Sequence, residues 1–196
     1  MNVRDQLLLA AVQVYAEGGY HGATTRRIAS AAGVNEITLF RHFGSKDVLL
    51  REALARCQGD TAAPLPQQPS DPLDELTEWC RSHFRDMQAR APLIRTALAE
   101  LPERPGVVTP EVSCPIQAVS ALTDYLGRLR QLGVASGRFN PRVAATMLMG
   151  VLFSDAIGRD IVPQMFANEP EDAVRDYVAL FLRGIGVEIG VKGSPA

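Results

Sequence analysis

At 196 residues, with 46% hydrophobic side chains and a net charge of −2, the chain has material for a buried core but too little positive charge for a generic polyanion binder. No apolar run is long and charge-free enough to span a bilayer, and the start enters an amphipathic pattern directly, without a signal peptide's apolar core. Three cysteines, Cys57, Cys80 and Cys114, lie far apart in no CxxC pair, which fits reduced thiols in a cytoplasmic protein.

A first helix is predicted over Val3 to Glu17, with Leu7, Leu8, Ala11, Val12 and Tyr15 at helical spacing and Gly18-Gly19 as its stop. Tyr20-His21-Gly22 is a connector. From Thr24 to Lys46 the pattern is two short helices about a tight turn. Thr24 or Thr25 caps the first, and Ile28, Ala29 and Ala32 give it an apolar face. Gly33 lets the chain turn, and Asn35 caps a second helix running to about Phe43. Gly44-Ser45 ends that helix and caps the next, which Val48, Leu49, Ala53 and Leu54 carry to about Gln58. This is the helix-turn-helix pattern, in which one helix braces another in the DNA major groove.

At about 100° per residue, Leu39 and Phe43 face inward, whereas Ile37, Phe40 and Arg41 point outward with Thr38 and His42 on the flanks. Such a face is odd in water and suits base edges and thymine methyls. The competing reading makes Phe40 a core residue and Arg41 a solvated charge. Residues 1–57 hold seven Arg and Lys against five Asp and Glu, so the local balance is about +2 while the remainder is about −4.

Gly59 to Ser70 is rich in Pro, Gln and small residues and forms a linker. Asp71-Pro72 starts a helix whose stripe includes Leu73, Leu76, Trp79, Cys80, His83, Phe84 and Met87, suited to an ordinary core or to an adaptable ligand cavity. A short helix is predicted from Leu93 to Glu100, and Val107 to Pro115 reads as irregular or as a weak helical start. Further helices are predicted over Ile116–Leu132, Arg142 to about Val162 after the Asn140-Pro141 cap, and Glu171 to about Gly186, with a turn over Gly133–Phe139. The helix after Pro141 is apolar around most of its circumference and should be buried on nearly every side. Two apolar terminal helices in one chain suggest a four-helix interface between two copies.

Ile28-Ala29, Ala32-Gly33-Val34, Thr38-Leu39-Phe40, His42-Phe43 and Ser45-Lys46 resemble the N-terminal DNA-binding domain of TetR-family transcriptional regulators, over about the first 57 residues. The family usually has glycine in place of Ile37 and tyrosine in place of Phe40. The resemblance implies a dimeric, ligand-responsive regulator, most often a repressor, whose fourth helix tilts to set the spacing of two recognition helices. It also implies that Tyr20 packs into the small domain's core.

The expected architecture is all-α: a three-helix helix-turn-helix domain at residues 1–57, a linker at 58–70, an effector-binding and dimerisation domain at 71–190, and a tail at 191–196. DNA-contacting candidates are Thr24, Thr25, Arg26, Glu36, Ile37, Thr38, Phe40, Arg41, His42 and Lys46. Arg41 and Glu36 would meet bases by polar contacts and Ile37 and Phe40 by apolar ones, while Thr25, Thr38, His42 and Lys46 engage phosphates. Effector candidates are Trp79, His83, Phe84, Met87, Tyr125, Met147 and Phe153. Met149, Leu152, Ala156, Tyr177 and Phe181 are expected at the dimer interface. Expected partners are an operator duplex, a small hydrophobic effector and a second copy of the chain. No GxSxG, HExxH, Walker or Rossmann signature is present, and His21, His42 and His83 are widely separated, so neither catalysis nor a metal or cofactor is expected. Asp124 and Asp155 lie on apolar helices, where they could meet a ligand, solvent or an interface. The alternative of a different class is a helical binding module that keeps the motif only as a structural unit.

Overall fold

The computed structural model describes residues 1–57, 62–108, 116–166 and 169–189, and the regular structure among them is helical. The chain forms two units, Met1–Gly59 with Arg90–Cys114, and Asp60–Ala89 with Pro115–Ala196, so it passes between them three times.

The first unit begins with α1 (Val3–Gly22), capped by the Asn2 side chain, which accepts the Asp5 N–H at 2.9 Å. Leu7, Leu8, Ala11 and Tyr15 supply its buried stripe. Gly19 breaks the helix where the sequence places a stop, with φ 62° and ψ −166°, a backbone region that is essentially glycine's alone. Then come α2 (Thr25–Ala31), α3 (Glu36–Phe43) and α4 (Lys46–Ala55). The core these helices share is closed by a second stretch of chain. Leu93 and Ala97 of α6 (Ala91–Glu100), with Val107 and Val108 beyond it, are buried against α1 and α4 residues.

Glu100 ties this second stretch to α1. Its carboxylate accepts the Tyr15 hydroxyl and the Tyr20 backbone N–H, each at 2.8 Å, and so satisfies a donor near the break at Gly19. A Cβ on Gly19 would press on the Glu100 carboxylate, and the positive φ there disfavours any L side chain, so glycine suits the position chiefly by conformation. Burial, and then the Glu100 carboxylate, push the Tyr15 hydroxyl pKa well above its ordinary value. Arg51 Nε donates to Gly106 O at 2.8 Å and Arg90 to Cys57 O at 2.5 Å, adding further ties within the unit.

The second unit consists of α5 (Pro72–Ala89), α7 (Ile116–Gln131), α8 (Pro141–Gly158) and α9 (Pro170–Gly184), with a 3-10 turn at Pro163–Met165. The cap-plus-proline starts are formed as the sequence suggests: Asp71 accepts the Asp74 N–H at 3.1 Å, and Asn140 accepts those of Arg142 and Val143 at 2.9 and 3.3 Å. Leu76, Trp79, Phe84, Leu122, Leu126 and Leu148 are among its core residues. Glu75 accepts the Tyr125 hydroxyl at 2.5 Å and the Ser70 and Asp71 N–H groups at 2.8 and 3.1 Å. Burial raises its pKa, but these bonds outweigh it and leave the carboxyl below its ordinary range.

Two features here differ from the sequence reading. Residues 135–137 do more than turn, because Ala135 bridges Val187 while Ser136 and Gly137 donate to Gly186 O and Ile185 O at 3.2 and 3.1 Å. Asp155 meets neither solvent nor an open surface. It is fully buried, and its oxygens accept Arg159 Nε at 2.6 Å, a second Arg159 nitrogen at 2.7 Å and the Tyr177 hydroxyl at 2.8 Å. Complete pairing is what makes a buried carboxylate tolerable. Burial and the Asp155 bond push the Tyr177 pKa up to about 12.

Candidate nucleic-acid interface

The turn between α2 and α3 is fixed by backbone chemistry. Gly33, at φ 68°, donates to Ser30 O at 3.1 Å and Val34 to Ala29 O at 3.0 Å, the paired bonds of a Schellman ending. Thr24, rather than Thr25, caps α2, accepting the Arg27 N–H at 3.2 Å. Asn35 caps α3 through the Ile37 N–H at 3.0 Å, and Ser45 caps α4 through the Val48 N–H at 3.2 Å. Leu39 and Phe43 anchor α3 in the core with Ile28. Arg4 of α1 braces the far end, its guanidinium 5.0 Å from the Phe43 ring centroid and 2.6 Å from Glu52.

This anchoring leaves the opposite face of α3 uncovered. Ile37 is 75% exposed and Phe40 46%, and Arg41 and His42 are exposed beside them. Phe40 is therefore no core residue. Thr24 and Arg26 are exposed on α2, and Thr38 is half-buried.

Three candidates have partners inside the unit. The Thr25 hydroxyl donates to the Glu36 carboxylate, so these two, expected on a phosphate and a base, hold the start of α2 to the start of α3. Lys46, expected on a phosphate, donates to Tyr20 O at 2.8 Å and lies 3.5 Å from the Tyr20 ring centroid; burial lowers its pKa. Tyr20 is partly buried against the core, with the Arg104 guanidinium 3.8 Å from its ring centroid and its hydroxyl donating to Asp47 at 2.5 Å. Arg104, which the sequence reading missed, also meets the His21 ring at 2.9 Å. Nothing local in the sequence signals it, since it is 83 residues away.

The second unit carries another uncovered apolar surface. Val143, Met147, Val151, Tyr177, Leu180 and Phe181, on α8 and α9, line a groove of about 530 Å³. Val143, Met147 and Leu180 are 59%, 64% and 71% exposed. Tyr177 and Phe181 thus lie on the face expected to meet a second copy. Met149, Leu152 and Ala156 do not: they are buried in their own unit and cannot form an outer surface. Met147, expected near an effector, lines this groove instead of the buried stripe of α5. Trp79, Phe84, Met87 and Tyr125 are buried, Phe153 and His83 are half-buried, and the Trp79 and His83 rings lie 4.1 Å apart.

Residues 7–53 match the model of bacterial regulatory proteins of the tetR family. Over those residues the chain carries the DNA-binding domain of TetR-family regulators. It is 26% identical over 184 residues to the uncharacterized HTH-type transcriptional regulator YvkB of Bacillus subtilis strain 168, covering 93% of this chain and 97% of that one. It is 45% identical over 86 residues to the HTH-type transcriptional repressor AcnR of Corynebacterium efficiens, 44% of this chain and 43% of that one. The fold of the TetR-family regulator PfmR of Thermus thermophilus superposes with a TM-score of 0.65 at 24% identity, over 93% of this chain and 99% of that one. With this domain and these relatives, the chain is a DNA-binding transcriptional regulator and not an enzyme. No described helix is long and apolar enough to cross a membrane.

Proposed function

We propose that this regulator binds a palindromic operator as a homodimer in the cytoplasm, represses by occupying it, and is released by a small hydrophobic effector. The observation carrying the DNA half of this reading is the α3 face: large side chains, Ile37, Phe40 and Arg41, stand uncovered on a helix anchored from behind. A DNA-reading domain within residues 1–57, with α6 completing its core, a linker at 58–70 and an effector and dimerisation domain in the remainder of 71–190 follow from the family pattern. Arg41 contacts a base edge, while Thr24, Arg26, Thr38 and His42 lie where phosphates run beside the helix. Lys46, Thr25 and Glu36 act indirectly, by setting the pitch of α2 and α3.

The groove on α8 and α9 is the surface for the second copy, so Val143, Met147, Val151 and Leu180 join Tyr177 and Phe181 there. Trp79, His83, Phe84, Met87, Tyr125 and Phe153 remain the residues around which an effector would bind. An effector that favours a conformation with misplaced recognition helices must weaken DNA binding, and DNA must weaken effector binding by the same factor.

The test is selection of binding sites from random duplex DNA by the full chain, followed by sedimentation of the complex. A palindromic consensus bound by two chains is the expected result. Enrichment of no sequence would overturn the reading, and a single chain on a half-site would overturn the dimer.

A further inference from the structure

The reading end of α3 presents carbon where hydrogen-bonding groups would ordinarily lie. The Asn35 side chain is occupied as a cap on the Ile37 N–H, and the Glu36 carboxylate is occupied by the Thr25 hydroxyl. What remains outward in the first turns is Ile37, 75% exposed, and Phe40, 46% exposed, before Arg41. In the major groove the base edges offer donors and acceptors, and thymine alone offers a carbon group, its C5 methyl. Cytosine in the same place offers only a C–H and an amino donor, which an isoleucine would bury without a partner.

We infer that Ile37 and Phe40 are specificity-determining residues that read thymine C5 methyls at neighbouring base pairs of each operator half-site. The inference rests on α3 entering the major groove, as proposed above. Three residues of helix advance about 4.5 Å, and successive base pairs are about 3.4 Å apart. The two side chains therefore fall on adjacent steps rather than on one base pair. Arg41, next to Phe40, supplies a polar contact beyond them. A half-site read this way has a hydrophobic pair of thymines with a hydrogen-bonded base beside it.

The test uses the full chain and the duplex enriched by selection from random DNA. Each thymine of the half-site is replaced in turn by deoxyuridine, in both half-sites together, which removes the methyl and leaves the pairing edge intact. At one or two positions affinity should fall about fourfold per methyl, or about fifteenfold for the symmetric pair. Ile37→Ala should weaken binding to the thymine duplex and cut the deoxyuridine effect at its own position to less than about twofold. Phe40→Ala should do the same at the neighbouring position. Ile37 is exposed enough that its truncation leaves the core untouched, and the deoxyuridine series needs no variant. A specific operator on which every deoxyuridine change is silent overturns the inference, as does a methyl effect that persists in both variants. If no sequence is enriched at all, the operator reading itself fails, and this inference with it.

Discussion

Two uncovered apolar surfaces, the outer face of α3 and the groove on α8 and α9, look alike in composition but differ in what borders them. On α3, Ile37 and Phe40 alternate with the exposed Arg41 and His42, so carbon is interleaved with groups that suit phosphates and base edges. Along the groove on α8 and α9, Val143, Met147, Val151 and Leu180 are accompanied by three aromatic rings, Phe139, Tyr177 and Phe181. The first surface matches a polyanion whose grooves carry methyl groups. The second offers a partner mainly carbon. Exposure alone therefore says little about a partner; the neighbouring charges decide its chemistry.

The contrast can be broken most severely at the groove. Met147→Asp places a carboxylate where two chains should meet, and sedimentation should show monomers. Operator affinity should fall by more than about 100-fold, because two linked half-site contacts become independent ones. If Met147→Asp stays dimeric, the groove is not the interface. Next in size, Arg41→Ala should cost about 10- to 100-fold at the base pair it reads, and little at others. Anisotropy titrations against single-base variants of the operator measure this, and equal losses on every variant would assign Arg41 to the backbone instead.

A change on neither surface sharpens the comparison. Gly19→Ala forces a Cβ towards Glu100 and an L side chain into a glycine conformation. It should destabilise the first unit by about 1–3 kcal/mol, seen as earlier thermal unfolding, while the chain remains dimeric through the second unit. Loss of the dimer would mean that the two surfaces are not separable.

The smallest effect concerns acid. Glu75 has a folded pKa below its ordinary value, so its contribution to stability is full above the unfolded value, about 4.3, and is lost as pH falls through the folded one. Glu75→Gln should flatten the acid limb of the melting temperature between about pH 5 and 3 without changing DNA affinity at neutral pH.

Much of the fold was legible because caps are local chemistry. Asn35, Ser45, Asp71 and Asn140 each accept the N–H groups that their side chains suggest. The outward face of α3 was legible too, since Leu39 and Phe43 leave only one face for Ile37 and Phe40. The face of α8 was not. An apolar helix has no polar stripe to mark the outside, so Met147 and Met149 could not be told apart by pattern, though Val143, Met147 and Val151 share one spacing. Long-range partners were equally hidden: Lys46 on Tyr20, Glu100 on Tyr15, and the 135–137 stretch on 185–187 join residues 26, 85 and about 50 positions apart.

The DNA-reading unit is interleaved with the rest of the chain rather than strung before it, and this limits how such a regulator can be recombined. A gene fusion cut after residue 57 would leave behind Leu93, Ala97, Val107 and Val108, which close the core, and Glu100, which secures the end of α1. Exchanging whole reading heads between regulators would need two matched segments to move together. Altering a few outward side chains of α3 needs neither, so new operator preferences are more readily acquired by point substitution than by shuffling.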